Sequence, residues 1–255
     1  MKLIDTHTHL YLEQFDADRD IVVQRALDQG VDKMLLPNID KDSIDVLWEL
    51  CNKYPENFYP MAGLHPTSVK EDYQEQLQIV EDELAKRKYI AVGEIGIDLY
   101  WDKTFQKEQK EALLFQFDLA IKYKLPVVIH SRDSFDEIMQ VIEEFNNPEL
   151  RGIFHCFTGT ESEANKIIDK GFLLGLGGVL TFKNSKLREE IKNIPLKKIV
   201  LETDAPYLTP APYRGKRNES AYVYYVAKTL AEVHNMKMHE IAEITTANAQ
   251  NLFNI

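Results

Sequence analysis

The sequence predicts an α/β fold in which residues 1–255 form a single (β/α)8 barrel. Eight short apolar segments alternate with helical stretches along the chain, as expected for parallel strands that are connected by helices. The length of 255 residues is typical of a one-domain barrel of this kind. No G-x-G-x-x-G turn follows the first apolar segment, which disfavours the rival architecture, an open doubly wound sheet.

The candidate strands are short and rich in Ile, Val and Leu. Several show almost no alternation of polar and apolar residues, for example residues 127–129 and 199–201. Strands that are buried on both faces have this composition, which favours a parallel sheet covered by helices. The eight candidate strands are Lys2–Asp5, Lys33–Pro37, Phe58–Leu64, Ile90–Glu94, Pro126–His130, Gly152–His155, Phe172–Leu176 and Ile199–Asp204.

The segments between the strands have helical periodicity. An apolar stripe at positions i, i+3, i+4 and i+7 runs through residues 44–51, after an Asp-Ser pair that suits a helix N-cap. A second stripe runs through residues 113–121 and ends before a Leu-Pro pair. Two further helices, over about residues 221–234 and 238–253, are expected to complete the barrel.

Composition limits the possible functions. The net charge of −11 argues against broad electrostatic adhesion to nucleic acid, although carboxylates that bind metal ions would account for part of it. No apolar run is long enough for a membrane span, and no signal peptide is recognisable. With only Cys51 and Cys156, a disulfide framework is not expected, so we predict a cytoplasmic protein. No obligate protein partner is predicted.

Histidines and acids stand where the predicted strands end. The carboxyl ends of the strands form the face of a barrel on which active sites are built. Two histidines spaced by two residues in extended chain point to the same side and can grip one ion. The candidate metal ligands are His7, His9, Glu94, His130, His155 and Asp204.

This mixed set of imidazoles and carboxylates suits Zn²⁺, Mn²⁺ or Mg²⁺. Six ligands exceed the need of one tetrahedral ion, so we expect two divalent ions that share a carboxylate. Glu94 is the expected bridge, because its strand lies between the two histidine-bearing regions. Two such ions would make hydroxide available near neutral pH, and Asp204 would orient the water and accept its proton. Glu94 and Asp204 are therefore the predicted catalytic residues.

Six sequence motifs accompany these ligands in a fixed order. The motifs are Asp5-Thr6-His7-Thr8-His9-Leu10, Gly63-Leu64-His65-Pro66, Gly93-Glu94-Ile95-Gly96-Ile97-Asp98, Pro126-Val127-Val128-Ile129-His130-Ser131-Arg132, His155-Cys156-Phe157-Thr158-Gly159 and Glu202-Thr203-Asp204-Ala205-Pro206-Tyr207-Leu208. Together they resemble the TatD-type deoxyribonucleases, which are amidohydrolase-like barrel hydrolases. The resemblance covers nearly the whole chain and implies hydrolysis of DNA phosphodiesters, with an exonucleolytic mode. The ligand sets that it implies are His7, His9, Glu94 and Asp204 for one ion, and Glu94, His130 and His155 for the other.

Five basic or histidine side chains are candidates for substrate binding. Arg214, Lys216 and Arg217 form a compact basic cluster after the last strand, where barrel enzymes often bind phosphate. The alternative is a solvated loop whose charges pair with nearby acids. His65 and Arg132 follow the third and fifth strands and could contact the scissile phosphate, although a structural role beside Pro66 also suits His65.

Two aromatic residues follow the Glu94 motif, and the sequence leaves their role open. Tyr100 and Trp101 could stack on a nucleobase or form a hydrophobic lid. Three functions are then compatible with the sequence. The leading one is a two-metal nuclease with DNA as substrate, and the second is a hydrolase of a small carbonyl or phosphoester compound on the same barrel. The third, a catalytically silent binding scaffold, is disfavoured by the presence of all six candidate ligands.

Overall fold

Eight parallel strands form the centre of the molecule in the computed structural model, which describes residues 1–255. Strands β1–β3 pair in sequence order, as do strands β4–β8. Bridges between Ala62 and Val92 and between Thr8 and Ala205 connect the two groups, so the sheet closes on itself. The strands are β1 (Leu3–Asp5), β2 (Val31–Leu36), β3 (Phe58–Pro60), β4 (Val92–Asp98), β5 (Val127–Arg132), β6 (Gly152–Phe154), β7 (Leu173–Leu176) and β8 (Ile199–Leu201). The predicted barrel is confirmed.

Nine α-helices surround the strands. The stripe at residues 44–51 forms a helix as predicted, and the stripe at residues 113–121 belongs to a helix of 18 residues. No helix is both long and apolar enough to cross a membrane. The helices are α1 (Arg19–Asp28), α2 (Ile44–Lys53), α3 (Tyr73–Lys86), α4 (Gln106–Tyr123), α5 (Phe135–Phe145), α6 (Glu161–Asp169), α7 (Leu187–Glu190), α8 (Val223–His234) and α9 (Met238–Phe253).

Strand ends are the main difference from the sequence-based prediction. Strand β4 continues to Asp98, four residues past the predicted end, because β5 also continues and the pairs Gly96↔His130 and Asp98↔Arg132 extend the ladder. Strand β8 ends at Leu201 rather than Asp204, since the chain there turns to join β1 through single hydrogen bonds. A side chain at position 96 would place its Cβ 2.0 Å from the His130 carbonyl oxygen, which explains the glycine in this close pair of strands.

Apolar side chains fill the lower part of the barrel. Ten buried residues form this inner core, and Phe253 and Ala249 of helix α9 close the end opposite the strand termini. A larger cluster of 59 buried residues lies between the barrel and its helices. Because apolar side chains fill this end, the polar and partly exposed side chains of the barrel interior lie at the carboxyl ends of the strands.

The inner core also determines which residues reach that open face. Val128, Ile153 and Val200 belong to the inner core. Side chains in a strand alternate in direction with a period of two, so the next inward positions are 130, 155 and 202. These positions carry His130, His155 and Glu202. The change from apolar to polar side chains at one level of the barrel therefore creates the floor of the candidate site.

Candidate metal centre

Glu94 lies at the centre of a cluster of buried imidazoles. Its side chain is only 3% exposed, yet each of its two carboxylate oxygens faces a different group of histidines. Oε2 lies 3.0 Å from His7 Nε2 and 3.7 Å from His9 Nε2. Oε1 lies 2.8–3.2 Å from ring nitrogens of three residues, namely His155, His130 and His65. One carboxylate thus joins two sets of nitrogen atoms.

Asp204 completes the first set. Its Oδ1 lies 3.8 Å from His7 Nε2 and 3.6 Å from His9 Nε2, and the two imidazole nitrogens are 3.2 Å apart. The Asp204 backbone is left-handed (φ 57°), and its N–H donates to the carbonyl of His7, which holds the turn beside β1. The segment after β8 therefore brings this carboxylate to residues almost 200 positions earlier in the chain.

The separations in both sets fit divalent ions. Ligand atoms about 2.1 Å from one tetrahedral ion lie about 3.4 Å from each other, which is the scale observed here. Three groups of potential ligand atoms lie within 4.8 Å of one another. They are His7, His9 and Glu94; His7, His155 and Asp204; and His65, Glu94 and His130. The first group belongs to the first predicted set, the second adds His155 to members of that set, and the third has His65 where the prediction has His155.

Electrostatics also fit a cationic occupant. Burial raises the pKa of Asp204 to about 8 and that of Asp5 below it to about 7, because neither carboxylate has enough water to stabilise its charge. Burial lowers the pKa of the His9 imidazole well below its usual range, so this ring is neutral and can bind a cation directly. Glu94 and the neighbouring acids instead raise the pKa values of His130 and His155, so a cation that binds there would release protons.

Hydrogen bonds behind the cluster orient two of the imidazoles. The Tyr11 hydroxyl donates to the carbonyl of Pro37 at 2.6 Å and accepts from His9 Nδ1 at 2.9 Å, which leaves the lone pair on His9 Nε2. Asp98 Oδ2 lies 3.0 Å from His130 Nε2, so the lone pair of Nδ1 points to the side of Glu94. Such partners fix the tautomer of a metal-binding histidine.

Glu202 is a third acid beside the cluster. It is fully buried, its Oε1 accepts from the backbone N–H of Cys156, and the same oxygen lies 3.4 Å from His155 Nδ1. Sequence reasoning assigned no role to Tyr11, Asp98 or Glu202. A signal existed for the two acids, because Asp98 follows Glu94 by four residues and Glu202 follows the inward Val200 by two.

The predicted substrate-binding residues occupy different environments. His65 joins the cluster itself, through the 3.2 Å contact of its Nε2 with Glu94. Arg214 lies over the ring of Phe182 at 3.6 Å, and Lys216 is exposed without a carboxylate partner. Arg217 instead forms a salt bridge with Asp18 at 2.7 Å. It therefore fits the alternative interpretation, in which a loop charge pairs with a nearby acid.

Arg132 lies at the end of β5 with its guanidinium exposed to solvent. Arg132 therefore shares a strand with His130 and follows it by two residues. Contact of Arg132, Arg214, Lys216 or Arg217 with a substrate stays a prediction.

Comparisons with known proteins identify the family of this chain. The family model "TatD related DNase" matches residues 4–254. The chain is 40% identical over 254 residues to YabD of Bacillus subtilis, named an uncharacterized metal-dependent hydrolase, and the match covers 99% of each chain.

Solved structures give the same relationship. The crystal structure of YjjV, a TatD homologue from Escherichia coli, superposes with a TM-score of 0.93 at 32% identity, over 99% of this chain and 98% of YjjV. A TatD family hydrolase from Entamoeba histolytica, at 24% identity, shares the fold with a TM-score of 0.85 over 99% and 98% of the two chains. The chain therefore belongs to the TatD family of metal-dependent hydrolases.

Proposed function

We propose that this protein hydrolyses phosphodiester bonds of DNA, in an exonucleolytic mode, with two divalent ions in the cluster around Glu94. The observation that carries the proposal is the division of the Glu94 carboxylate, with each oxygen facing a separate set of nitrogen atoms. Divalent ions held by these two sets would supply positive charge for the attacking and leaving oxygens of a displacement at phosphorus. Asp204, His65 and His130 have side chains that are 14–16% exposed, so the end of a substrate chain would reach the cluster from this side.

Each side chain of the two sets has a proposed role. In the first set His7 and His9 would hold one ion together with Asp204, and in the second set His130 and His155 would hold the other. When bound, divalent ions supply Lewis acidity and a water of lowered pKa. Glu94 holds the two sets at a fixed separation, while Asp204, whose side chain is 15% exposed at the edge of the cluster, orients the attacking water and accepts its proton.

Unpaired cations near the open face support a polyanionic substrate. Arg132, Lys183, Lys186, Arg214 and Lys216 all belong to loops or strand ends at the carboxyl side of the barrel, and all are exposed. None of them forms a salt bridge, in a chain with a net charge of −11. The loops after β7 and β8 pack together through Arg214 and Phe182. This rim therefore offers phosphate groups positive charge that is not already neutralised.

The direct test is hydrolysis of single-stranded DNA by purified protein with Mn²⁺ or Mg²⁺. We expect release of nucleotides, and we expect His130→Ala to lower kcat/KM by about 10²- to 10³-fold, because several kcal/mol of transition-state stabilisation depend on the second set. An exposed histidine of helix α9 offers the control His239→Ala, which is expected to retain full activity. Equal rates for the wild type and His130→Ala would remove the second ion from the mechanism.

Salt dependence distinguishes a polymer from a small substrate. Log affinity for a single strand falls with log salt concentration, and each lost phosphate contact reduces the magnitude of this negative slope by about 0.7. Arg214→Gln with Lys216→Gln is therefore expected to reduce the magnitude of the slope of log KM for DNA against log salt concentration by about 1.4. Lys166→Gln with Lys228→Gln, a double change on the exposed faces of α6 and α8, is the charge-matched control. A flat salt profile in the wild type would favour a small carbonyl or phosphoester substrate instead.

A further inference from the structure

Two neighbouring aromatic side chains are exposed beside the metal centre. Tyr100 is 54% exposed and Trp101 is 71% exposed, directly after the end of β4. Their rings meet edge to face, with centroids 4.9 Å apart and an interplanar angle of 88°. Large apolar surfaces held open to water at the entrance of a site commonly mark a binding surface.

Arg132 adds a cation to this pair. Its guanidinium carbon lies 3.9 Å from the centroid of the Tyr100 ring and 5.2 Å from that of Trp101, within the range of cation–π contact. The guanidinium has no carboxylate partner, so its outer edge is available to an anion. We name Tyr100, Trp101 and Arg132 the aromatic platform.

A buried carboxylate fastens the platform to the metal centre. Asp98 Oδ1 accepts from the backbone N–H groups of Tyr100 at 3.0 Å and Trp101 at 3.4 Å. The other oxygen, Oδ2, lies 3.0 Å from His130 Nε2, and His130 Nδ1 lies 2.9 Å from Glu94. Asp98 itself is held through its backbone N–H by Gln109 of α4. The platform therefore has a defined position one side chain away from the ligand cluster.

We propose that the aromatic platform is a nucleobase subsite, in which one unpaired base stacks on Tyr100 and Trp101 while Arg132 contacts the adjoining phosphate. The inference rests on the proposed function and names the part of the substrate that this side of the centre recognises. Every base has a π-face, so stacking of this kind is tolerant of sequence. The planar guanidinium of arginine can bind two phosphate oxygens in bidentate fashion while it remains stacked on an aromatic ring.

The fluorescence of Trp101 can report binding at the aromatic platform, because the chain has only two tryptophans. Trp48→Phe leaves Trp101 as the sole indole fluorophore. In this background we compare a phosphorothioate tetrathymidylate with its abasic counterpart, both added to the Mn²⁺-loaded protein. We expect quenching by the thymidylate and a Kd roughly 5- to 150-fold lower than that of the abasic chain. Tyr100→Ala is expected to remove most of this difference.

Steady-state kinetics provides a second measurement in a protein that keeps Trp48. It is needed because Trp48 donates a hydrogen bond to Tyr89, which Trp48→Phe removes. Trp101→Ala should raise KM for tetrathymidylate at least about 5-fold with little change in kcat. Trp101→Phe, which keeps a ring, should restore most of the lost affinity. KM for the abasic tetramer should be the same in the wild type and both variants.

The results separate the subsite from the proposed function. Equal binding of the thymidylate and abasic chains, with normal DNA hydrolysis, would overturn the subsite and leave the nuclease proposal standing. Loss of turnover on both tetramers in Trp101→Ala would also overturn it, since that pattern belongs to a lid over the centre. Quenching of Trp101 by thymidylate without any phosphodiester hydrolysis would support the subsite and contradict the nuclease proposal.

Discussion

Replacing Asp204 by asparagine is expected to lower kcat for DNA hydrolysis by about 10²- to 10⁴-fold, which is the contribution of a positioned general base. The amide has the same shape and keeps an oxygen near His7 and His9, but it cannot accept a proton at neutral pH. The carboxylate is the most exposed acid of the cluster and lies at its open edge, where an attacking water would arrive. The measurement is kcat and KM with saturating Mn²⁺.

Asp133→Asn is the matched control for this change. Asp133 follows β5 on the same face of the barrel, is exposed, and has a left-handed backbone conformation that asparagine adopts readily. It should retain kcat within about 2-fold, because surface charges outside the site contribute little. If Asp204→Asn behaves like Asp133→Asn, the assignment of the proton acceptor is wrong and another acid must serve.

The sequence was sufficient to predict the barrel and the strand ends that carry the candidate ligands, for a common physical reason. Buried parallel strands require apolar runs, and a polar side chain at the end of such a run marks the level at which the core stops. His130 and His155 follow runs of this kind, and the structure brings both to Glu94. The pattern of apolar runs that end in a polar residue therefore indicates which end of each strand holds the candidate site residues.

Contacts between segments that are distant in the chain could not be predicted from the sequence in the same way. Arg217 was grouped with Arg214 and Lys216 by adjacency, yet its partner Asp18 is 199 residues earlier in the chain. His65 enters the cluster because the segment after β3 reaches over to Glu94, which no local pattern specifies. These placements depend on how loops pack after the barrel has closed, and a single sequence has no periodic signal for that step.

Asp98 and Glu202 were only partly predictable from the sequence. Asp98 and Glu202 lie at positions that strand alternation makes inward, so their direction was predictable. Their roles were not, because a carboxylate behind a histidine has the same spacing as a carboxylate that binds an ion directly. Only the three-dimensional contacts distinguish them: Asp98 is hydrogen-bonded to His130 at 3.0 Å, whereas Glu202 lies 3.4 Å from His155 Nδ1 and accepts from the backbone N–H of Cys156.

Replacing Glu94 by glutamine is expected to reduce activity by at least about 10³-fold and to abolish stabilisation by metal ions. Glutamine keeps one acceptor oxygen but turns an NH₂ group, a donor, toward one of the two nitrogen sets, and it removes the buried negative charge. Mn²⁺ at 100 times its Kd stabilises a native protein by about 2.7 kcal/mol. For a chain of this size that corresponds to a rise in Tm of roughly 5–10 °C, which we expect in the wild type and not in Glu94→Gln.

Glu83→Gln is the control, because Glu83 is also a buried acid but binds the Tyr89 hydroxyl in the outer layer, away from the cluster. It should lower Tm somewhat and leave the rise with Mn²⁺ unchanged. Titration calorimetry then tests the bridge itself. A shared carboxylate predicts that Glu94→Gln weakens both ions together, whereas His130→Ala weakens only one. Two unaffected Mn²⁺ equivalents in Glu94→Gln would show that the ions bind elsewhere, since no other side chain of the cluster contacts both histidine sets through separate oxygens.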